Sequence, residues 1–444
     1  MLLESMVRLM QGWRQVFAQG RTTNRAIRQA LSSICVVGRR TIARSYLVRG
    51  GEGDWSSEYK LHSRSEWEAQ ALFGPLLEAA IEQVEGDVLA FGTDDTRLKK
   101  SGKNVASAHW GRDPFSPPFR HQRQWGLRYL HTSLLLPLHG GSEVSARAIP
   151  VWFEAVAPVP KPSRQASPQE QVAYRRAVKA ENLSQRSVWM LRELRQRVDA
   201  AGGREKKLGV ALDGSFCNQT LFKAELERTL LIARCRRDAV LCHPAATSRR
   251  RYGVEKFRPE QVRTDEARAW QRARIFHGQT WREVLWQRGG GERRLRLPVV
   301  RATPYRQTKK GRVLYRQPAF LLTTDLERPA AELLQIYFDR WQVEVAHKEM
   351  KESFGIGEAQ VRVARAVERE PVLRVATYSA LHLAALQQFG AERSARLGTL
   401  PKYQREKKRA SCQDLIRHLR SEVVQQLPYD LKITEKSILQ AATR

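Results

Sequence analysis

Residues 337–351 read YFDRWQVEVAHKEMK. Steps of three, four and seven residues return to nearly the same side of a 3.6-residue helix. Tyr337, Arg340, Glu344 and Lys351 therefore share one face of a predicted helix, and Trp341 and Lys348 fall on that side too. The stripe sets one carboxylate among aromatic and cationic groups. A second stripe, Ile336, Val343 and Met350, lies about 100° away and is the natural core-facing side. A buried face beside a charged one is what a helix needs to hold an acid rigidly at a cleft. The plainer reading of the same spacing is a basic amphipathic helix with a solvated polar side.

Working outward, PAFLLTTDL (318–326) reads as a strand leading into this helix. Further upstream, GDVLAFGTDDT is an apolar run ending in acids, and LHTSLLLPL and ARAIPVWFEAVAPV follow as strand-like segments. These predict three successive strands, the first delivering Asp94 and Asp95 at its C-terminal end. PVPKPSRQASP is linker-like and leads into a long helix, roughly 167–200, ending at AGG. KKLGVALDGSF then reads as a buried strand terminating at Asp213. Strands, helix, strand, strand, helix is the order of a mixed α/β sheet.

About 100 residues of different character separate Asp213 from the last strand. They alternate apolar and basic residues around a Gly289-Gly290-Gly291 break, which predicts an inserted, largely β module apart from the central sheet. Its charge and its Trp270, Trp281 and Trp286 suit contact with DNA backbone and unstacked bases, with core packing the alternative for each ring. Residues 1–85 read as helical and arginine-rich: Arg21, Arg25 and Arg28 recur at helical spacing. Gly38 can then form a turn, with Arg39, Arg40, Thr41 and Ile42 opening a second helix. A DNA-contacting helix-turn-helix, or an ordinary helical hairpin, fits this pattern. After about 365 an apolar helix precedes a basic helical tail.

Composition narrows the partners. Lys and Arg number 77 against 46 acidic residues in 444, a formal net charge of +31. So large an excess points to a polyanion, meaning nucleic acid. No apolar run approaches the roughly 18 residues that span a bilayer, and charges interrupt any signal-peptide core in MLLESMVRLMQGWRQ. A cytoplasmic, nucleoid-associated protein without membrane attachment is the expectation. The five cysteines, Cys35, Cys217, Cys235, Cys242 and Cys412, are scattered and contain no Cys-x2-Cys pair, which argues against a disulfide framework or a structural zinc site.

Three carboxylates at strand and helix ends can hold two divalent cations about 3.5–4 Å apart, a clamp for in-line phosphodiester displacement. Asp95, Asp213 and Glu344 are the candidates. Their weight comes from position: two at the ends of predicted inner strands, the third on the quoted helix. Strand alternation sends Asp94 and Asp95 to opposite faces, so only one of them can be a ligand.

The Tyr-x2-Arg-x3-Glu-x6-Lys spacing resembles the signature of DDE-class bacterial insertion-sequence transposases of the cut-and-paste group. Trp341, His347, Lys348 and the downstream GIGEAQVR (355–362) are similar to the family pattern as well. The resemblance implies an α/β fold with a ribonuclease H-like catalytic core, a largely β insertion, and flanking N-terminal and C-terminal helical regions. The expected domains are 1–85 (DNA-binding helices), 86–235 and 317–365 (core), 236–316 (insertion) and 366–444 (helical). It implies Asp95, Asp213 and Glu344 as catalytic metal ligands for two Mg²⁺ or Mn²⁺ ions. Asp95 aligns by its following Thr96, with Asp94 the alternative. Arg340 and Lys351 would hold phosphates and Tyr337 would donate to one. Trp341, Lys348, Arg39 and Arg40 complete the expected DNA contacts. The implied activity is binding of terminal inverted repeats, cleavage, and joining of 3′-hydroxyl ends to target DNA by a dimer in the synaptic complex. A structure-selective endonuclease that does not join, and a catalytically inactive DNA-binding relic, are the rivals.

Overall fold

The computed structural model describes residues 1–51, 53–113, 116–117, 119–136, 146–243, 253–273, 279–287, 294–308, 310–390 and 410–426. Five short helices come first: α1 (Leu2–Gln11), α2 (Gly20–Cys35), α3 (Ile42–Leu47), α4 (Ser56–Ser63) and α5 (Gly74–Ile81). Gly38, at φ +79°, makes the expected turn between α2 and α3. The Thr41 hydroxyl caps α3 by accepting from the Arg44 N–H.

The chain then lays down β1 (Val88–Lys99), β2 (His109–Arg112), β3 (Arg123–Leu136) and β4 (Arg147–Ala155). Helices α6 (Pro168–Ala180) and α7 (Leu183–Val198) lead to β5 (Lys207–Leu212), α8 (Gln219–Lys223) and β6 (Thr229–Arg234). The single helix expected over 167–200 is thus two. Asn182 breaks it, because its side chain accepts from the Gln185 N–H and starts a new helix.

Next come β7 (Leu241–Cys242), β8 (Lys256–Phe257), α9 (Pro259–Thr264), β9 (Gln271–Ala273), β10 (Gln279–Gln287), β11 (Arg294–Val300), β12 (Pro304–Tyr305), β13 (Leu314–Tyr315) and β14 (Ala319–Thr323). The described chain ends with α10 (Ala330–Asp339), α11 (Trp341–Ser353), α12 (Ala364–Phe389) and α13 (Cys412–Gln426).

Among the described residues one mixed sheet of ten strands runs β2–β3–β1–β5–β6–β14–β11–β10–β9, with β4 also paired to β3. β1 pairs antiparallel with β3 and parallel with β5, and β5 pairs parallel with β6. The stretch 236–316 does not stand apart as expected. Its strands β9, β10 and β11 extend the central sheet through β14, while β7–β8 and β12–β13 form separate ribbons. Leu295 to Val300 are all buried, and the Arg296 guanidinium in their midst donates to the Arg328 carbonyl. A charge that reads as solvated in the sequence is thus satisfied inside a sheet. The side chains of Trp281 and Trp286 and the triple-glycine break lie outside the described residues.

Alternate residues of β1 feed two cores. Val88, Ala90 and Leu98 join a cluster with α1, α2, α11 and α12. Leu89 and Phe91 join another with α5 and α7. The N-terminal helices are tied to the far end of the chain, since the Leu2 and Leu3 N–H groups donate to Glu422 on α13.

Gly92 sits where α11 crosses β1. A Cβ there would stand 2.6 Å from Val343 Cγ2 and 3.5 Å from the Arg340 Cα. Overpacking of this kind costs about 1–3 kcal/mol. Gly92→Val is therefore expected to lower stability by at least that amount in urea unfolding at unchanged m-value; wild-type stability would show that α11 is not seated on β1 in this way.

Candidate active site

The site begins with strand register. β1 and β5 run parallel with Thr93 opposite Leu212, and the ladder stops there. The next residue on each strand is an acid, so Asp94 and Asp213 emerge at one level. Glu344 arrives from α11, which crosses the same face. All three carboxylates meet one cation: Arg340 Nη1 lies 3.1 Å from Asp94 Oδ2, and Nη2 lies 3.2 Å from Glu344 Oε1 and 4.0 Å from Asp213 Oδ1. Exposure grades outward, 17% for Asp94, 36% for Glu344 and 44% for Asp213. The cluster therefore opens to solvent on the Asp213–Glu344 side.

Asp95, aligned by sequence as the first acid, points to the other face. Arg128 clasps it with Nε 2.7 Å from Oδ2 and Nη2 2.8 Å from Oδ1. Asp94, the alternative, is the one of the two that shares Arg340 with Asp213 and Glu344. Nor does β1 end at the acids: it continues to Lys99, because β3 pairs with it through Lys99↔Gly126.

A family model described as DDE superfamily endonuclease matches residues 15–294. The chain belongs to this family. Comparison with curated proteins gives no match. The family match takes in Asp94 and Asp213 and stops short of α11, so Glu344 rests on its position beside them.

In this DDE superfamily endonuclease the quoted stretch is two helices meeting at Arg340, which keeps right-handed helical angles (φ −51°, ψ −30°). The expected core stripe holds, with Ile336, Val343 and Met350 all buried. The expected polar face divides. Tyr337 is buried, with the Arg340 guanidinium 5.9 Å from its ring centre. Lys351 is half-buried, and burial lowers its pKa. Trp341, at 60% exposure, and Lys348 face solvent. Of the N-terminal arginines, Arg39 is exposed, as are Arg21 and Arg28. Arg40 is buried instead: its N–H donates to Glu358 and its Nη1 to the Glu352 carbonyl at 3.2 Å. It therefore braces the end of α11 and is not placed for DNA. Arg25 turns toward Glu58, 3.9 Å away.

Beneath the acids lies a histidine pair that sequence reasoning missed. His131, the cross-strand partner of Asp94, lies with Nδ1 2.8 Å from His347 Nε2, and its own Nε2 is 2.7 Å from the Ser133 hydroxyl. Burial pushes His131 down to about 3. Burial first, then His131, Lys351 and Arg340, holds His347 well below its ordinary value. The neutral pair pins α11 to β3. The signal that could have found it was the i, i+3 step from Glu344 to His347, but the partner lay 216 residues away.

The only described His/Cys/carboxylate group with ligand atoms all within 4.8 Å of one another is Glu349, His382 and Cys412, contributed by α11, α12 and α13 in turn. Glu349 already accepts from Arg147 Nη1 at 2.9 Å to each oxygen and from the Tyr378 hydroxyl at 2.7 Å. That group reads as an internal clamp. Asp94, Asp213 and Glu344 offer only carboxylate oxygens, the hard donors that suit Mg²⁺ or Mn²⁺. Burial pushes Asp94 up to about 7, offset in part by Arg340. Burial also raises Glu344, again opposed by Arg340. One guanidinium does not neutralise this cluster.

The sign for stability follows from linkage. A folded carboxyl titrating near 7 retains a proton that the unfolded chain, near 3.9, has released. Asp94 thus lowers stability progressively as pH rises from about 4 to about 7. In chelator-containing buffer, Asp94→Asn should gain stability relative to wild type between pH 5 and pH 8 in urea unfolding. An equal difference at both pH values would mean the carboxyl is not held up.

Proposed function

We propose that this DDE superfamily endonuclease is a DNA transposase that binds the terminal inverted repeats of a mobile element, cleaves its ends and joins the 3′-hydroxyls to target DNA. One observation carries the reading: Asp94, Asp213 and Glu344, from three separate elements, converge on Arg340 at an edge open to solvent. The strand order β4–β3–β1–β5–β6, antiparallel as far as β1 and parallel beyond it, supports reading the core as ribonuclease H-like. Asp94 replaces Asp95 in the proposed acid triad.

These carboxylates are the proposed ligands of two Mg²⁺ or Mn²⁺ ions, which when bound would polarise the scissile phosphate and acidify the attacking water or 3′-hydroxyl. The chain's own groups set the geometry. Arg340 is a planar multi-donor fork suited to phosphate oxygens as well as to the acids it now holds. Tyr337 supports it from behind. Lys348 and Trp341, exposed on the same helix, would meet backbone and base, with Lys351 about one turn further along. Arg39, Arg21 and Arg28 offer phosphate contacts on the N-terminal helices. Pairing of two element ends implies a dimer in the DNA-bound complex.

The test is a cleavage and strand-transfer assay in Mg²⁺ on labelled DNA carrying the element's own flanking repeats. Asp94→Asn and Glu344→Gln are each expected to lose at least about a hundredfold in rate while still binding the ends. Asp95→Asn should retain cleavage. Loss in Asp95→Asn with activity in Asp94→Asn would overturn the triad. Cleavage without joining would move the reading to an endonuclease.

A further inference from the structure

Beyond the acids, the outer end of the sheet carries an open cleft of about 650 Å³ whose lining includes Trp110, Trp125, Lys99, Lys103, Arg123 and Asp113. Trp110 is 62% exposed, unusual for so large an apolar ring. It faces Trp125 directly across the β2–β3 pairing, with ring centres 5.7 Å apart and planes tilted by 57°. Trp125 is fixed in turn, because its Nε1–H donates to the Gly102 carbonyl at 2.9 Å. One indole thus backs another whose outer face stays open. Lys103 and Arg123 are exposed around it, and Asp113 is the one carboxylate among the six.

Register places this cradle relative to the acids. Leu127 on β3 lies opposite Leu98 on β1. Trp125 is two residues from Leu127, and Asp94 is four from Leu98, so both tryptophans lie on the Asp94 face of the sheet. Five or six residues of strand separate them from Asp94, about 15–20 Å. A nucleic-acid strand rising about 3.4 Å per residue covers that span in about five nucleotides.

We propose that the Trp110–Trp125 cradle is a subsite for an unpaired nucleotide of the DNA strand leaving the candidate active site, with the base stacked on Trp110 and the flanking phosphates on Lys103 and Arg123. The assignment to substrate DNA rests on the proposed function, whereas the binding chemistry does not. An exposed indole face takes any base that has left its stack, and a cationic rim follows the backbone. A base inside a duplex offers no free face.

The experiment is fluorescence anisotropy of the full-length protein, in EDTA so that no cleavage occurs, with a labelled blunt duplex, the same duplex bearing a short oligothymidylate tail, and free oligothymidylate. Wild type is expected to prefer the tailed duplex. Trp110→Ala should bind the tail and the free oligonucleotide about five- to a hundredfold more weakly with blunt-duplex affinity unchanged, and Trp110→Phe should restore most of the loss. Equal binding of tailed and blunt DNA by wild type would overturn the subsite, as would a Trp110→Ala defect of equal size on blunt duplex. Neither result bears on the acids, whose reading is decided by the cleavage assay.

Discussion

A single guanidinium inside a ring of carboxylates is the constraint around which this site is organised. Asp94, Asp213 and Glu344 come from two parallel strands and a crossing helix, so packing alone would bring like charges together. Burial and mutual repulsion both disfavour ionised carboxylates. Arg340 answers this from within the framework, reaching all three from the junction of α10 and α11. Its backbone lies over Gly92, the one residue of β1 small enough to let the junction descend that far. The offset is incomplete, since Asp94 is still held near 7. The fold thus stores an unmet demand for positive charge where phosphodiester chemistry would need it.

How far the sequence could anticipate this depends on the range of the interaction involved. The stripe Ile336, Val343 and Met350 is a local periodicity, and all three are buried. The buried strand ending at Asp213 and the helix break at Gly202, with φ +83°, were equally legible. The choice between Asp94 and Asp95 was not. Alternation says that only one faces the site, but which one follows from Thr93↔Leu212, a pairing across more than 100 residues. The same holds for β9–β11, whose basic and apolar alternation looked like a separate module until β11 paired with β14. Arg40 likewise reads as surface charge until Glu358, 318 residues away, claims its backbone.

Buried arginines also refine what the basic composition means. Arg40, Arg147, Arg195, Arg296, Arg340, Arg369 and Arg374 are each less than a tenth exposed. They act as internal clamps: Arg369, for example, donates to the Ser65 carbonyl at 2.6 Å and to Trp67. Such groups contribute to folding and, Arg340 beside the acids excepted, are withdrawn from any polyanion. These six among the described residues, taken from 77 basic residues against 46 acidic ones, leave a large cationic excess that still points to nucleic acid. What changes is which arginines it applies to.

The helix carrying Glu344 owes its position to both ends of the chain. Arg40, just beyond α2, holds the Glu352 carbonyl and Glu358 at its C-terminal end. From the other side, Gln413 on α13 donates to the Ser353 hydroxyl at 2.5 Å, and Arg147 bridges Glu349 to the Ala410 carbonyl at 2.8 Å. The two flanks then meet each other, as Glu422 accepts from the first turn of α1 and Arg420 donates to the Ile34 and Val36 carbonyls. An acid that the proposed chemistry would need placed to within a fraction of an ångström is therefore fixed by segments that touch no part of the acid cluster. The helical flanks and the sheet behave as one support, and an error in docking either flank is transmitted directly to α11.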